Sequence, residues 1–344
     1  MTHSTPSRPE PVERAAVLPR VRLLATGGTI AGAQTGGSRS YQAGALSIDA
    51  LIHAVPQLAT LARLEIEQVV ALGSQDMNEA IWLKLADRAA AALADPDIAA
   101  VVITHGTDTM EETGYFLNLT VHSAKPVVLV GAMRPATEIS ADGPMNLYNA
   151  VAVAVSPDTR SRGVLIVAND EIHFAREVSK TNTTQVGTFK ASHRGLAGLV
   201  HAGRLHLYAP PVRRHTVASG FSLVGLTALP RVEIIYAYAG MGRELIDAAV
   251  RAGAKGLVIA GVGDGNLNEA ALAATAAAAR AGVAVVRSSR TGGGVVERNI
   301  EVDDDALGFI ASDELNPQKA RVLLMLGLTG TADPRALQEL FFTY

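Results

Sequence analysis

No cysteine occurs anywhere in the 344 residues. Disulfides, thiolate catalysis and cysteine zinc sites are thereby excluded together, and any covalent nucleophile is a hydroxyl or an amine. Aromatic residues are scarce, at 4%, and no basic block with interleaved aromatics offers the charge and stacking that nucleic-acid binding uses. No run approaches the ~18 consecutive apolar residues of a membrane-spanning helix. Charge is nearly balanced, with 30 basic against 33 acidic residues, so no polyelectrolyte partner is implied. Lysine is the rare base, confined to Lys84, Lys125, Lys180, Lys190, Lys255 and Lys319. Arginine is effectively always protonated, whereas a desolvated lysine can lose its proton.

Hydrophobic residues make up 48% of the chain and charged ones 18%, ample for sizeable cores in two domains. The first twenty residues are polar and carry Pro6, Pro9, Pro11 and Pro19. They read as a disordered arm over residues 1–19 without the apolar core of a signal peptide, which makes the cytoplasm the expected compartment and export the alternative. Beyond them, Val21–Ala25, Ile66–Leu72, Ala100–Thr104, Val127–Val130 and Val164–Ala168 are apolar on nearly every residue, as expected of strands buried on both faces of a mainly parallel sheet. Helical periodicity over Asn78–Leu93, Thr109–Val121 and Met145–Val155 alternates with them and predicts an α/β layered fold. The rhythm lapses near residues 203–230. It resumes with predicted strands at Val232–Tyr238, Gly256–Ala260 and Ala284–Arg287, and helices at Glu244–Ala252, Leu267–Ala281 and Pro334–Phe342. The reading is a larger α/β domain over 20–208, a linker over 209–230 and a smaller α/β domain over 231–344.

Two glycine turns at the ends of apolar runs carry threonines. In Leu23-Leu24-Ala25-Thr26-Gly27-Gly28-Thr29, the glycines permit positive φ and close backbone approach, and Thr29 is a candidate nucleophile. A phosphate loop is excluded, because Ala33-Gln34 stands where Lys-Ser/Thr is required; a capped strand-to-helix turn remains the plain alternative. In Ile103-Thr104-His105-Gly106-Thr107-Asp108, Asp108 either caps the following helix or offers a carboxylate to a substrate ammonium, with Thr107 in a proton relay. Glu111-Glu112 suits the helix dipole, and His105 reads as a packed histidine. Lys180, among the hydroxyls and amides of Ser179-Lys180-Thr181-Asn182-Thr183-Thr184, is either a base or a surface ion-pair partner. Gly73-Ser74-Gln75-Asp76 could bind a carboxylate through hydroxyl, amide and backbone N–H groups. The glycines of Gly261-Val262-Gly263-Asp264-Gly265-Asn266 miss the dinucleotide spacing. Glu301–Asp305 reads as a solvated acidic turn, since calcium-loop spacing and a histidine cluster are both absent. Residues 33–44, rich in glycine yet carrying Tyr41, are either a lid over a site or an ordinary surface loop.

Taken in order, these motifs resemble the bacterial L-asparaginases, in the type II-like branch of the asparaginase/glutaminase family. The matching segments are Ala25–Gly32, Gly73–Met77, Ile103–Thr113, Val130–Pro135, Ser140–Pro144, Ser179–Thr184 and Leu315–Arg321, and the likeness covers roughly residues 20–344. The resemblance implies that Thr29 attacks the side-chain amide carbon with Tyr41 assisting, and that Thr107 and Lys180 relay protons beside Asp108. It implies that Ser74, Gln75 and Asp108 hold the substrate's α-carboxylate and α-ammonium, and that backbone groups near Thr107 and Ala132 form the oxyanion hole. Asn266 and Glu301 match positions that reach the site from a neighbouring subunit, in a homotetramer built from two intimate dimers. A small-molecule substrate and no metal or organic cofactor are implied, with neither nucleic acid nor membrane as partner. Type II members are commonly exported and some carry a disulfide, which this chain cannot form. Three other readings stand beside asparagine hydrolysis: a broad-specificity glutaminase-asparaginase, a non-catalytic amino-acid-binding module, and an amidotransferase subunit acting with tRNA.

Overall fold

A computed structural model describes residues 17–34, 41–42, 48–201 and 203–344. The arm expected over the first residues lies, up to residue 16, outside the described residues, as does most of the proposed lid.

The chain begins with β1 (Arg20–Gly27), then a small hairpin of β2 (Ala33–Gln34) and β3 (Tyr41–Gln42), and α1 (Ile48–His53). It continues through β4 (Arg63–Leu72), α2 (Glu79–Ala94), β5 (Ile98–Thr104), α3 (Met110–Thr120), β6 (Val127–Val130), α4 (Gly143–Val155) and β7 (Val164–Ala168). Five short strands follow: β8 (Glu171–Phe174), β9 (Val178–Lys180), β10 (Phe189–Ala191), β11 (Gly198–His201) and β12 (Arg204–Leu207). The first sheet has the order β12-β11-β8-β7-β6-β5-β1-β4. Strands β4, β1, β5, β6 and β7 are mutually parallel, whereas β8, β11 and β12 extend the sheet antiparallel.

The parallel strands show why runs of valine and isoleucine were needed. Val101 and Ile103 of β5 enter the core shared with α2 and α3, while Ala100 and Val102 enter the opposite core with α4. Successive side chains of a strand point to opposite faces, so a strand covered on both sides must be apolar throughout. The expectation fails for β4, which is the sheet's edge. Of its ten residues only Val69 is buried, and Glu65 and Glu67 bind Arg20, Arg22 and Arg88 along the rim. Helix α2 is started by Asn78, whose side chain accepts the Ile81 N–H at 3.1 Å, and its Trp82 stacks on Phe116 of α3.

The second sheet is wholly parallel, in the order β13 (Val232–Tyr236), β14 (Gly256–Gly261), β15 (Ala284–Ser289) and β16 (Phe309–Ala311). Helices α5 (Glu244–Arg251) and α6 (Glu269–Arg280) share one core with it, and α7 (Asp304–Leu307) precedes β16. On the other face, α8 (Pro317–Gly327) and α9 (Pro334–Thr343) complete the chain. Helix α8 packs against both α3 and the second sheet, so one apolar cluster runs from Phe116 and Leu117 to Leu323, Leu324 and Phe341. The two layered α/β units thus share a core. The chain between Leu207 and Val232 is no loose tether: Phe221, Leu223 and Leu229 pack on that core, and the Phe221 ring lies 4.9 Å from that of Tyr344. Among the described residues no helix is long and apolar enough to cross a membrane.

Candidate active site

The C-terminal ends of β1, β4, β5 and β6 converge, and open parallel sheets bind ligands at that end. The turns are packed so closely that side chains would not fit. Gly28 has φ +82°, and a Cβ there would lie 2.4 Å from the Gly106 nitrogen. A Cβ on Gly106 would lie 2.5 Å from Ser74 Oγ, and one on Gly131 2.6 Å from the His105 carbonyl. Glycine is required at Gly28 for its backbone conformation as well as for space. The buried Thr26 hydroxyl ties the first two turns together by donating to the Thr104 carbonyl at 2.8 Å.

Thr29 opens a single 3-10 turn after Gly28 and is buried, as are Thr107 and Ser74. The Ser74 hydroxyl accepts the Asp108 N–H at 3.2 Å, and its carbonyl accepts the Thr109 hydroxyl at 2.8 Å. Gln75 is exposed, with its side-chain amide folded over Gly73. Lys180, ending β9, reaches this cluster from beyond the first sheet. Its ammonium donates to Thr107 Oγ1 at 2.9 Å and to Asp108 Oδ1 at 2.5 Å. The lysine side chain is 15% exposed and the aspartate 59%, so a partly buried amine meets a carboxylate that stays open to solvent and ligand. His105 lies beneath, its Nδ1 2.7 Å from the Gly106 carbonyl. Complete burial pushes its pKa down to about 4, leaving it neutral at neutral pH, as expected of a packed histidine.

Ala132 follows β6 and is buried. The Asp142 carboxylate accepts the N–H groups of Met133 and Arg134 at 3.0 and 2.9 Å, and Asn146 donates to the Gly131 carbonyl at 3.0 Å. That turn is therefore clamped from the start of α4. Tyr41 sits on β3 with its backbone opposite Gln34; its side chain lies outside what the structure describes. Asn266 and Glu301 are on the second domain, Asn266 bridged to Val262 and Glu301 exposed. Among the described residues no hydrogen bond or ion pair joins either of them to Ser74, Thr107, Asp108 or Lys180. Among the described residues Asn266 Oδ1 has no hydrogen-bond partner and is buried.

Sequence reasoning missed what holds Lys180. Its backbone N–H donates to Glu111 Oε2 at 3.2 Å, Gln318 donates to Glu111 Oε1 at 3.0 Å, and Asn316 donates to Ser179 Oγ at 2.9 Å. A faint signal was present in Asn316-Pro317-Gln318-Lys319, a polar turn opening an otherwise apolar helix. Lys319 is fully enclosed, and burial pushes its pKa down to about 8.

The glycine-lined turns and the lysine–threonine–aspartate cluster form a small polar site with a candidate nucleophile, a candidate proton carrier and a carboxylate. Comparisons with known proteins place nearly the whole chain. Family models described as "Asparaginase, N-terminal" and "Glutaminase/Asparaginase C-terminal domain" match residues 20–213 and 231–341. The chain is 52% identical over 331 residues to a probable periplasmic L-asparaginase of Haemophilus influenzae, covering 96% of this chain and 94% of that one. It is 44% identical to a glutaminase-asparaginase of Pseudomonas fluorescens, covering 97% and 92%. A crystal structure of a probable cytoplasmic L-asparaginase from Campylobacter jejuni superposes with a TM-score of 0.92 at 46% identity, covering 95% of this chain and all of the other. Full-length similarity on top of this site geometry shows that the chain belongs to the asparaginase/glutaminase family.

Proposed function

We propose that the chain hydrolyses L-asparagine to L-aspartate and ammonia through an acyl-enzyme on Thr29. The observation that carries this reading is the Lys180 ammonium held between Thr107 Oγ1 and Asp108 Oδ1, on a turn whose Gly106 touches Gly28, the residue before Thr29. Thr29 Oγ attacks the side-chain amide carbon with Tyr41 assisting, and its hydroxyl proton enters the relay of Thr107 and Lys180. The oxyanion that forms is held by backbone N–H groups near Thr107 and Ala132, a preorganised arrangement of the kind that lowers such barriers. Thr107 and Lys180 pass the proton to the leaving nitrogen, the C–N bond breaks and ammonia departs. Water then cleaves the ester, returning the proton to Thr29. Ser74 and Gln75 take the α-carboxylate and Asp108 the α-ammonium. A neighbouring copy completes the site, with Asn266 and Glu301 contributed across the dimer of a homotetramer; the exposure of Glu301 supports this by leaving its side chain open to a partner. Light scattering should return about four times the 35.8 kDa chain mass; a monomer at assay concentration would rule the shared site out. The compartment proposed is the cytoplasm, which cell fractionation reads.

The second reading, a broad glutaminase-asparaginase, is favoured by the similarity to the Pseudomonas fluorescens protein of that name. Asparagine and glutamine differ by one methylene, a difference worth ~1–3 kcal/mol in discrimination. Ammonia release measured side by side should give kcat/KM about 10- to 200-fold higher on asparagine. Equal values would establish the broad enzyme, and no ammonia from either amide would refute amide hydrolysis.

A further inference from the structure

Glu111 is a buried carboxylate, 3% exposed, that forms no ion pair among those of the described residues. Its two oxygens serve different domains. Oε2 takes the backbone N–H of Lys180 and Oε1 takes the side-chain amide of Gln318. Glu111 stands in the first turn of α3, just past Thr107 and Asp108, which hold the ammonium of the same lysine. One short segment of chain therefore grips Lys180 at both ends, side chain and backbone nitrogen.

Gln318 opens α8 in the second domain, and its neighbours reach the same strand. Asn316 donates to Ser179 Oγ at 2.9 Å, and the Lys319 ammonium donates to the Arg176 carbonyl at 2.8 Å and to the Val178 carbonyl. Three successive residues of β9 are thus tied to α8, the last of them through Glu111. Among the described residues the carbonyl oxygen of Gln318 is buried without a partner, and the bond from its nitrogen to Glu111 orients the amide. If Glu111 served only the helix dipole, neither its contact with Lys180 nor Gln318 would matter to the reaction.

We propose that Glu111 and Gln318 are positioning residues for Lys180, through which the second domain sets the lysine's register against Thr107. The proposal rests on the reading of Lys180 as the proton carrier. A displacement of about 1 Å in a catalytic group can cost on the order of 100-fold in rate. Partial loosening by Gln318→Leu should therefore lower kcat by roughly tenfold, with KM for asparagine within about twofold, since Ser74 and Gln75 are untouched.

Because Gln318 acts through Glu111, the Glu111→Gln/Gln318→Leu double variant should be no slower than Glu111→Gln alone. The full-length assembled enzyme is assayed, with thermal melts on each variant, and Lys180→Met alongside. If Glu111→Gln fails to fold, Gln318→Leu alone decides through its kcat and KM. A wild-type kcat in Gln318→Leu, a KM that rises as far as kcat falls, or losses that multiply in the double variant would each overturn the positioning role. If Lys180→Met itself keeps wild-type kcat, the error lies in the proton-carrier reading instead, whatever the other variants do.

Discussion

Thr29→Ala is expected to lower kcat for asparagine hydrolysis by on the order of 10³-fold or more, the scale on which covalent hydrolases lose activity when their nucleophile is removed. The substitution deletes atoms from a buried residue without adding any, and the Gly28–Gly106 contact that shapes the turn involves no threonine atom. Folding should therefore survive, and near-unchanged circular dichroism and melting would isolate the effect to chemistry. Rapid quench of the wild-type enzyme followed by peptide mass mapping should find the acyl adduct on the Thr29 peptide. Wild-type ammonia release from Thr29→Ala, or an adduct mapped to Thr107, would reassign the nucleophile.

Lys180→Met should be nearly as severe, with kcat falling by about 10²- to 10⁴-fold, the usual contribution of a positioned acid–base group. Methionine keeps much of the length and apolar character of the stem while removing the donor to Thr107 and Asp108. Two readings of Lys180 diverge here. As a surface ion-pair partner its loss would cost ~1 kcal/mol or less of stability, because Asp108 is largely solvated, and would leave turnover alone. As the proton carrier its loss cuts kcat by that large factor while stability changes by the same small amount. Steady-state ammonia release and urea midpoints on one preparation separate them: normal kcat with a lowered midpoint would return Lys180 to the surface.

Much of this layout was legible from local chemistry. Strands such as Val127–Val130 announce themselves because both faces are covered, and each glycine turn could be recognised where a strand ends on residues that permit close approach. The edge strand β4 misled because Val69-Val70-Ala71-Leu72 is as apolar as a central strand, while the ion pairs of Glu65 and Glu67 that mark it as an edge come from elsewhere in the chain. Strands β8 to β12 were missed because each spans only three or four residues, too short for a period of two to declare itself. The support of Lys180 was illegible for another reason. Gln318 and Glu111 are 207 residues apart, and no local pattern in either segment names its partner.

The Gly28–Gly106 contact also sets a gauge. Where two walls of a cleft meet through side chains, the gap depends on rotamers that interconvert with temperature and neighbouring substitutions. Here the walls meet backbone to backbone, so their separation follows from bond lengths and van der Waals radii, with no rotamer to relax. A cleft calibrated in this way has little give at its floor. Enlarging it for a longer amide falls to the residues that line the cavity beside Asp108 and Lys180, namely Thr181, Asn182 and Thr183 after β9 and Gln318 at the start of α8. Those segments, rather than the threonine turns, are where variation in substrate preference has room to act.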